Sequence, residues 1–259
     1  MRKPLYRQVA DGLRSEIDAG VYPPGASLPS ERELSIRFDA ARNTVRQGLN
    51  VLVTEGLIAP SQGRGYEVRS HDLFTLDASR FENLTLGEDQ DGDAYSDEVR
   101  RAGRRPHQEF RVELQPASDE VAARLSVDVT SSTILRFCLR YVDGVPWSTQ
   151  ATHYPAWVVS EAPRIAEPQD IDEGTTRYLN GLGLEQMRYH DTWSTRMPTP
   201  TEARELQVGP GVPVLIWSRT GFTSAGRAIR STVTTFRGDL NQVTYDIDTR
   251  HTPPGGDAQ

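Results

Sequence analysis

Residues 28–68 read LPSERELSIRFDAARNTVRQGLNVLVTEGLIAPSQGRGYEV, and this stretch decides how the first quarter of the chain folds. Ser30 followed three residues later by Glu33 is a capping box, with Pro29 just before it, and predicts a short helix over Glu31–Phe38. A break over Asp39–Arg42 follows. Val45, Leu49 and Leu52 then recur on one face of a further helix, which Gly56 ends. Arg42, Asn43, Arg46 and Gln47 fall on its other face. Leu57-Ile58 and Tyr66-Glu67-Val68 read as two short strands, with Ser61–Gly65 between them as a flexible, basic hairpin tip.

Working towards the N-terminus, Leu5, Val9, Leu13 and Ile17 make one apolar stripe on a helix of about four turns. Gly20 and Pro23-Pro24-Gly25 stop it, because glycine accepts a left-handed cap and proline cannot continue a helix. Three helices and then a hairpin is the order of a winged helix-turn-helix. Arginine can fork onto guanine, and asparagine or glutamine onto adenine, so the exposed face of the third helix carries the side chains that read base edges. Gly63 and Gly65 let the wing backbone come close to a duplex, and Arg64 suits the narrower minor groove. The competing reading is a three-helix bundle whose arginines form an ordinary solvated face.

The charge distribution favours the first reading. The whole chain carries −7, yet residues 1–70 hold ten Lys and Arg against eight Asp and Glu. The remainder holds nineteen against twenty-eight. A slightly basic head on an acidic body can approach phosphates while the body stays off them. No run of about 18 apolar residues predicts a membrane span, and the charged start has no secretory h-region. The lone Cys138 forms no internal disulfide, which fits a reducing cytoplasm, and it reads as a small buried hydrophobe.

Residues 4–70 resemble, without gaps, the winged helix of GntR-family regulators; LPSEREL, RNTVRQ, EGLI and QGRGYEV carry the resemblance. It implies that Arg32 reaches the phosphate backbone or a base edge. It also implies that Arg42, Asn43, Thr44 and Arg46 open the recognition helix, and that Gln62, Gly63 and Arg64 form the wing tip. Many relatives have valine-serine before the arginine. Ala40-Ala41 stands here, so one hydroxyl contact to phosphate is expected to be lacking.

Gly87–Asp93 is acidic and aperiodic, so residues 71–94 read as a linker and residues 251–259 as a disordered tail. Between them, over 95–250, strand signals alternate with short helices, an α+β domain on an antiparallel sheet. Phe110, Val112 and Leu114 alternate. Ser118–Leu125 and the regions near Thr175–Asn180 and Thr201–Leu206 read as helices. Thr133–Tyr141 with Pro146–Tyr154, and Val214–Phe222 with Ala228–Arg237, read as hairpins. Val243, Tyr245 and Ile247 mark a last strand. On the first hairpin Leu135, Phe137, Leu139 and Tyr141 share the face expected to meet the core. Arg136, Cys138 and Arg140 share the face expected to line a cleft or solvent. A two-residue turn, Asp143-Gly144, pairs Arg140 with Trp147 and turns Gln150 to the apolar face. A three-residue turn, Val142-Asp143-Gly144, turns it to the arginine face. The second is favoured, since a buried Gln150 needs partners.

This domain resembles the UTRA sensing domain of the HutC-type branch of GntR regulators, which is similar in fold to chorismate lyase. LRYVDGVPWSTQATHYP, PTPTEARELQVGPGVPVLIWSRTGFTSAGR and FRGDLNQVTYDI carry the looser match. In relatives that bind phosphosugars the resemblance implies an Arg-x-Arg pair, a glutamate, a serine and tyrosine at a helix start, and a glutamate and tyrosine from the last hairpin. At those positions this chain has Cys138 and Arg140, Gln150, Thr175 and Arg177, and Arg230 and Phe236. Sugar-hydroxyl acceptors are gone and arginines have arrived. The expectation is an anionic effector held by Arg140, Arg177 and Arg230, with Gln150, Thr175 and Phe236 around it. Against it stands the possibility that these arginines pair with surface acids.

His107, His153, His190 and His251 are scattered, and no metal, cofactor or catalytic motif is read. The expected function is a DNA-binding regulator, not an enzyme. It would be a homodimer on a pseudo-palindrome and a repressor gated by a small molecule, with the acidic linker as the bistable element. The alternatives are a ligand-free DNA-bound repressor and a lyase-type activity in the second domain.

Overall fold

The computed structural model describes residues 3–61, 65–69, 73–77 and 94–245. The expected wing tip of Gln62, Gly63 and Arg64, most of the expected linker and the tail lie outside the described residues.

Helix α1 (Leu5–Asp18) carries the apolar stripe, with Val9 and Leu13 wholly buried. Helix α2 (Glu31–Arg37) has both halves of its capping box: the Ser30 hydroxyl accepts from Glu33 N, and Ser30 N donates to Glu33 Oε2 at 2.8 Å. Helix α3 (Arg42–Thr54) starts one residue earlier than expected, so the break covers only Asp39–Ala41. Leu34, Val45, Leu49, Leu52 and Ile58 complete an apolar core. Gly48 sits where α3 crosses α1, and a Cβ there would come within 2.8 Å of the Tyr6 carbonyl oxygen. Strands β1 (Ile58–Ser61) and β2 (Gly65–Val68) pair antiparallel as the wing, from Ile58 opposite Val68 to Ser61 opposite Gly65.

The second region is an antiparallel sheet of six strands. In spatial order these are β4 (Pro106–Pro116), β5 (Ser132–Val142), β6 (Val145–Pro155), β9 (Ala228–Arg237), β8 (Val214–Phe222) and β7 (Arg188–Arg196). Helix α5 (Asp119–Leu125) and the residues after α8 (Pro200–Glu205) cover one face: Arg124 reaches Ser218, and Leu206 packs with Ile216. Helix α4 (Ala94–Arg101), α6 (Ala156–Glu161), a 3-10 turn (Pro163–Ala166) and α7 (Thr175–Gly181) complete the domain. A short strand β3 (Phe74–Asp77) runs parallel to β10 (Asn241–Thr244).

Three expectations are corrected. Residues 74–77, expected within the linker, form β3, because Phe74 and Leu76 alternate with polar neighbours and bury themselves beside Tyr95, Trp147 and Trp217. The turn of the first hairpin has two residues, Asp143 and Gly144, with φ of 52° and 80° as a primed turn requires. Gln150 still faces with the arginines, because Trp147 is an extra residue on β6. Arg140 pairs with Ser148 and Tyr141 with Pro146, so the bulge shifts the register back. Finally, the arginine face of β5 is the more deeply enclosed one. Arg136 and Cys138 are 5% and 3% exposed, whereas Leu135, Phe137, Leu139 and Tyr141 are only half-buried. This face does line a cleft, as expected, but the elements packed over it, absent from any local pattern, enclose it more deeply than the apolar face.

Candidate functional site

Two surfaces carry chemistry. The first is the outer side of α2 and α3. Arg32, Arg42, Asn43 and Arg46 are exposed and Thr44 is half-buried. Arg46 forks onto Glu31 of α2, with Nε and Nη2 at 3.0 and 2.8 Å from the two carboxylate oxygens. This contact holds the Glu31 carboxyl below its usual range. It also orients the guanidinium that the third helix presents. Glu31 was not singled out from sequence, although its position in the capping-box helix, beside Arg32, was the available signal.

The second is a cavity of about 180 Å³ between the six-stranded sheet and the elements over its arginine face. Arg140, Gln150, Thr175, Arg177, Arg230 and Phe236 all line it. So do residues that sequence reasoning did not name for the site, among them Tyr95 of α4, Gln108 of β4, and Trp217 and Arg219 of β8. The alternation Leu215, Trp217, Arg219 on β8 was the signal that could have found the last two.

Five guanidiniums line this cavity, those of Arg136, Arg140, Arg177, Arg219 and Arg230, against two carboxylates, Asp170 and Glu173. They are not equivalent. Arg219 forks onto Asp191, directly opposite on β7, at 2.8 and 2.6 Å, and stacks between Tyr189 and Trp217. Arg136 lies over Phe110 and donates to the carbonyls of Glu167 and Gln169. Arg140 lies over Tyr95, and its Nε donates to Gln108 at 3.2 Å. Arg230 donates to the Thr176 hydroxyl at 3.0 Å. Among the described residues neither Arg230 nor Arg177 makes an ion pair, and Glu173 is instead engaged by Arg164 at 2.6 Å. Among the described residues, the alternative that these arginines pair with surface acids is not realised at these two positions. Cys138 is buried in the cavity wall, its Sγ 3.2 Å from Gln108 Oε1.

A joint connects the two surfaces. Arg69, just after the wing, is buried. It donates to Asp239 Oδ2 at 3.0 Å and to the Pro210 carbonyl at 3.2 Å. Burial pushes its guanidinium below its ordinary value, and Asp239 opposes that shift. Arg237 shares Asp239 at 3.0 and 3.1 Å. At Gly211 a Cβ would meet the Val53 and Thr54 carbonyl oxygens at 2.5 and 2.8 Å, so the end of α3 rests directly on this loop.

The chain's relatives agree with this architecture. The profile of the "Bacterial regulatory proteins, gntR family" matches residues 5–68, and that of the UTRA domain matches residues 101–241. The HTH-type transcriptional repressor NagR of Bacillus subtilis is 27% identical over 246 residues, 95% of each chain. The HTH-type transcriptional regulator GgaR of Escherichia coli is 25% identical over 238 residues, 92% of this chain and 88% of that one. The crystal structure of PhnF from Mycobacterium smegmatis shares the fold, with a TM-score of 0.57 at 23% identity over 93% of this chain and 100% of that one. No described helix is long and apolar enough to cross a membrane. The chain belongs to the GntR family of bacterial regulatory proteins, carries a UTRA domain, and is a DNA-binding transcriptional regulator rather than an enzyme.

Proposed function

We propose that this regulator is a cytoplasmic homodimeric repressor whose hold on operator DNA is changed by an anionic small molecule bound in the sheet cavity. In this reading residues 1–70 bind DNA, and the effector and dimer contacts lie within 95–250, with β3 added. Arg32, Arg42, Asn43, Thr44 and Arg46 contact the duplex, together with Gln62, Gly63 and Arg64 of the wing tip. The observation that carries the effector reading is the charge of the cavity: five guanidiniums against two carboxylates, inside a region that is acidic as a whole. Enclosed like charges of one sign favour a ligand of the other.

The coupling proposed runs through Phe236. It lines the cavity, and β9 continues from it to Arg237 and then to Asp239, which holds Arg69 beneath the wing. A ligand that shifts the end of β9 would bias the head only if it binds the two arrangements unequally. The acidic linker, earlier expected to be the bistable element, lies largely outside the described residues. NagR, the similar protein named above, is a repressor by its name.

The test is anisotropy of labelled DNA from the gene's own upstream region across a salt series, followed by addition of small carboxylates and phosphates. All four tryptophans lie in the second region, so their fluorescence reports the cavity in the same cuvette. The expected result is binding that weakens steeply with salt, with a log–log slope of about 0.9 per phosphate contacted, and release by an anion that also changes the fluorescence. Operator binding that no anion alters, with silent tryptophans, would leave the ligand-free repressor.

A further inference from the structure

Alternate residues of β8 face the cavity: Trp217 and Arg219 line it, and Gly221 comes next on the same face. Gly221 pairs with Tyr189 of β7 on one side and with Arg230 of β9 on the other, and both of those side chains line the cavity. The space that a side chain would take at Gly221 is filled instead by the carboxamide of Gln186, from the loop between α7 and β7. A Cβ at Gly221 would overlap Gln186 Oε1 and lie 3.0 Å from its Cδ. Residues paired across antiparallel strands have Cα atoms about 5 Å apart, so this carboxamide lies alongside the base of the Arg230 side chain.

Gln186 is 5% exposed. Its Nε2 and its Oε1 are both buried, and among the described residues neither has a hydrogen-bond partner. A buried amide in this state costs free energy that an arriving partner recovers. The same corner of the cavity holds two guanidiniums. Arg230 reaches the Thr176 hydroxyl, and Arg177 is the next residue of α7. Neither makes an ion pair among the described residues, and the nearby Glu173 carboxylate is taken by Arg164.

We propose that Gln186 is a specificity-determining residue of the cavity, and that the effector is a carboxylate with a neutral hydrogen-bond donor on the adjacent carbon. The carboxylate meets Arg177, Arg230 and Gln186 Nε2, and the donor meets Gln186 Oε1. This inference rests on the effector reading above and sharpens it. Guanidiniums and Nε2 only donate, so a bare carboxylate satisfies them, but it leaves Oε1 facing a second acceptor. An ammonium would satisfy Oε1 and would stand beside two guanidiniums of its own sign. A hydroxyl or an acylated amine supplies the donor without the charge, which gives α-hydroxy or α-acylamino acids as the class.

The experiment titrates the full-length protein at constant ionic strength with four probes of one three-carbon skeleton, following tryptophan fluorescence and thermal midpoint. Propionate has no donor, lactate has a hydroxyl, N-acetylalanine has an amide N–H, and alanine has an ammonium. All are small enough to enter this corner whatever the rest of the effector is. Lactate or N-acetylalanine is expected to bind about fivefold more tightly than propionate and alanine, and which of them does so identifies the donor. Gln186→Met, of similar shape, is expected to abolish that preference, to leave propionate binding unchanged and to raise the midpoint of the unliganded protein, since it removes two buried polar atoms that lack partners. Arg177→Gln, at an exposed position, is expected to weaken all three uncharged-donor and donor-free acids alike. Retained operator binding checks that each variant is folded. A lower midpoint in Gln186→Met with the preference intact would assign the amide a structural or water-mediated role and overturn the proposal. Propionate binding as tightly as lactate and N-acetylalanine would overturn it too, while leaving the anionic effector in place. No response to any of the four, nor to inorganic phosphate or simple dicarboxylates, would overturn both.

Discussion

The head buries almost only apolar side chains, whereas the sheet domain buries many polar ones beside its apolar clusters. Leu13, Leu34, Leu49, Leu52 and Ile58 are fully buried in the head. Among its described residues only Arg69, at the joint, is a buried polar or charged group. The sheet domain instead buries Arg136, Ser148, Thr149, Thr152, Thr232, Thr234 and Thr235 in its central strands. A region that works through its outside can be packed solidly, and its functional side chains add nothing to its core. A region that works through its inside must keep polar groups and space there, at some cost in stability.

Breaking the head's core should have the largest effect. Leu49→Ala is expected to cost about 2–5 kcal/mol, lowering the head's melting transition while the tryptophans of the sheet domain melt nearly as before. A single shared transition shifting as a whole would show that the two regions fold as one unit. Next is the joint. Arg69→Met leaves Asp239 still paired with Arg237 but removes the hydrogen bonds to Asp239 and to the Pro210 carbonyl, so the expected loss is at least that of one charged hydrogen bond, about 1.5–3 kcal/mol. Hydrogen exchange should report it at β1 and the 206–213 loop, together with a weaker effect of any effector on DNA binding.

On the outer surface, Arg46→Ala should weaken operator binding by about 1–3 kcal/mol and relax preference at one base pair. Glu31→Gln, which frees Arg46 without removing it, should have a smaller effect measured by the same anisotropy assay. An Arg46→Ala loss equal on operator and random DNA would make Arg46 a phosphate contact.

A pH scan separates the two interiors further. His153 of β6 is held below its ordinary pKa by burial and then by Arg124. The unfolded chain therefore takes up this proton as pH falls below about 6.5, whereas the folded chain resists it. The stability it supports is fully present above that value and declines beneath it. His153→Gln should flatten the decline between pH 7 and 5 in denaturant titrations, and an unchanged slope would assign the decline elsewhere. The smallest effect is expected at Thr234→Val. Its side chain lines the cavity, so removing the hydroxyl should leave stability within about 1 kcal/mol while reducing the response to a hydroxylated ligand. A large loss of stability there would mean the cavity hydroxyls hold the sheet together.

Local pattern specified what acts between near neighbours. The Leu5–Ile17 stripe, the Ser30–Glu33 box and the α3 face each act within a few residues, through helix periodicity or a cap hydrogen bond. The helices and hairpin of the head followed from them, and so did most of the central strands. The rest was decided by contacts distant in sequence. Strand β7 has no apolar alternation of its own and owes its place to β8, through Trp193 stacked on Trp217 at 5.0 Å and Asp191 on Arg219. The bulge at Trp147, not the turn, sets the face of Gln150. Which face of β5 is inside depends on α4, β3 and the 163–181 segment lying over it. The family resemblance named six residues that line the cavity, but only tertiary structure drew the cavity itself, because its walls mix polar and aromatic residues from many elements, and hydrophobic periodicity marks only the faces that exclude water, not those that enclose a space for it.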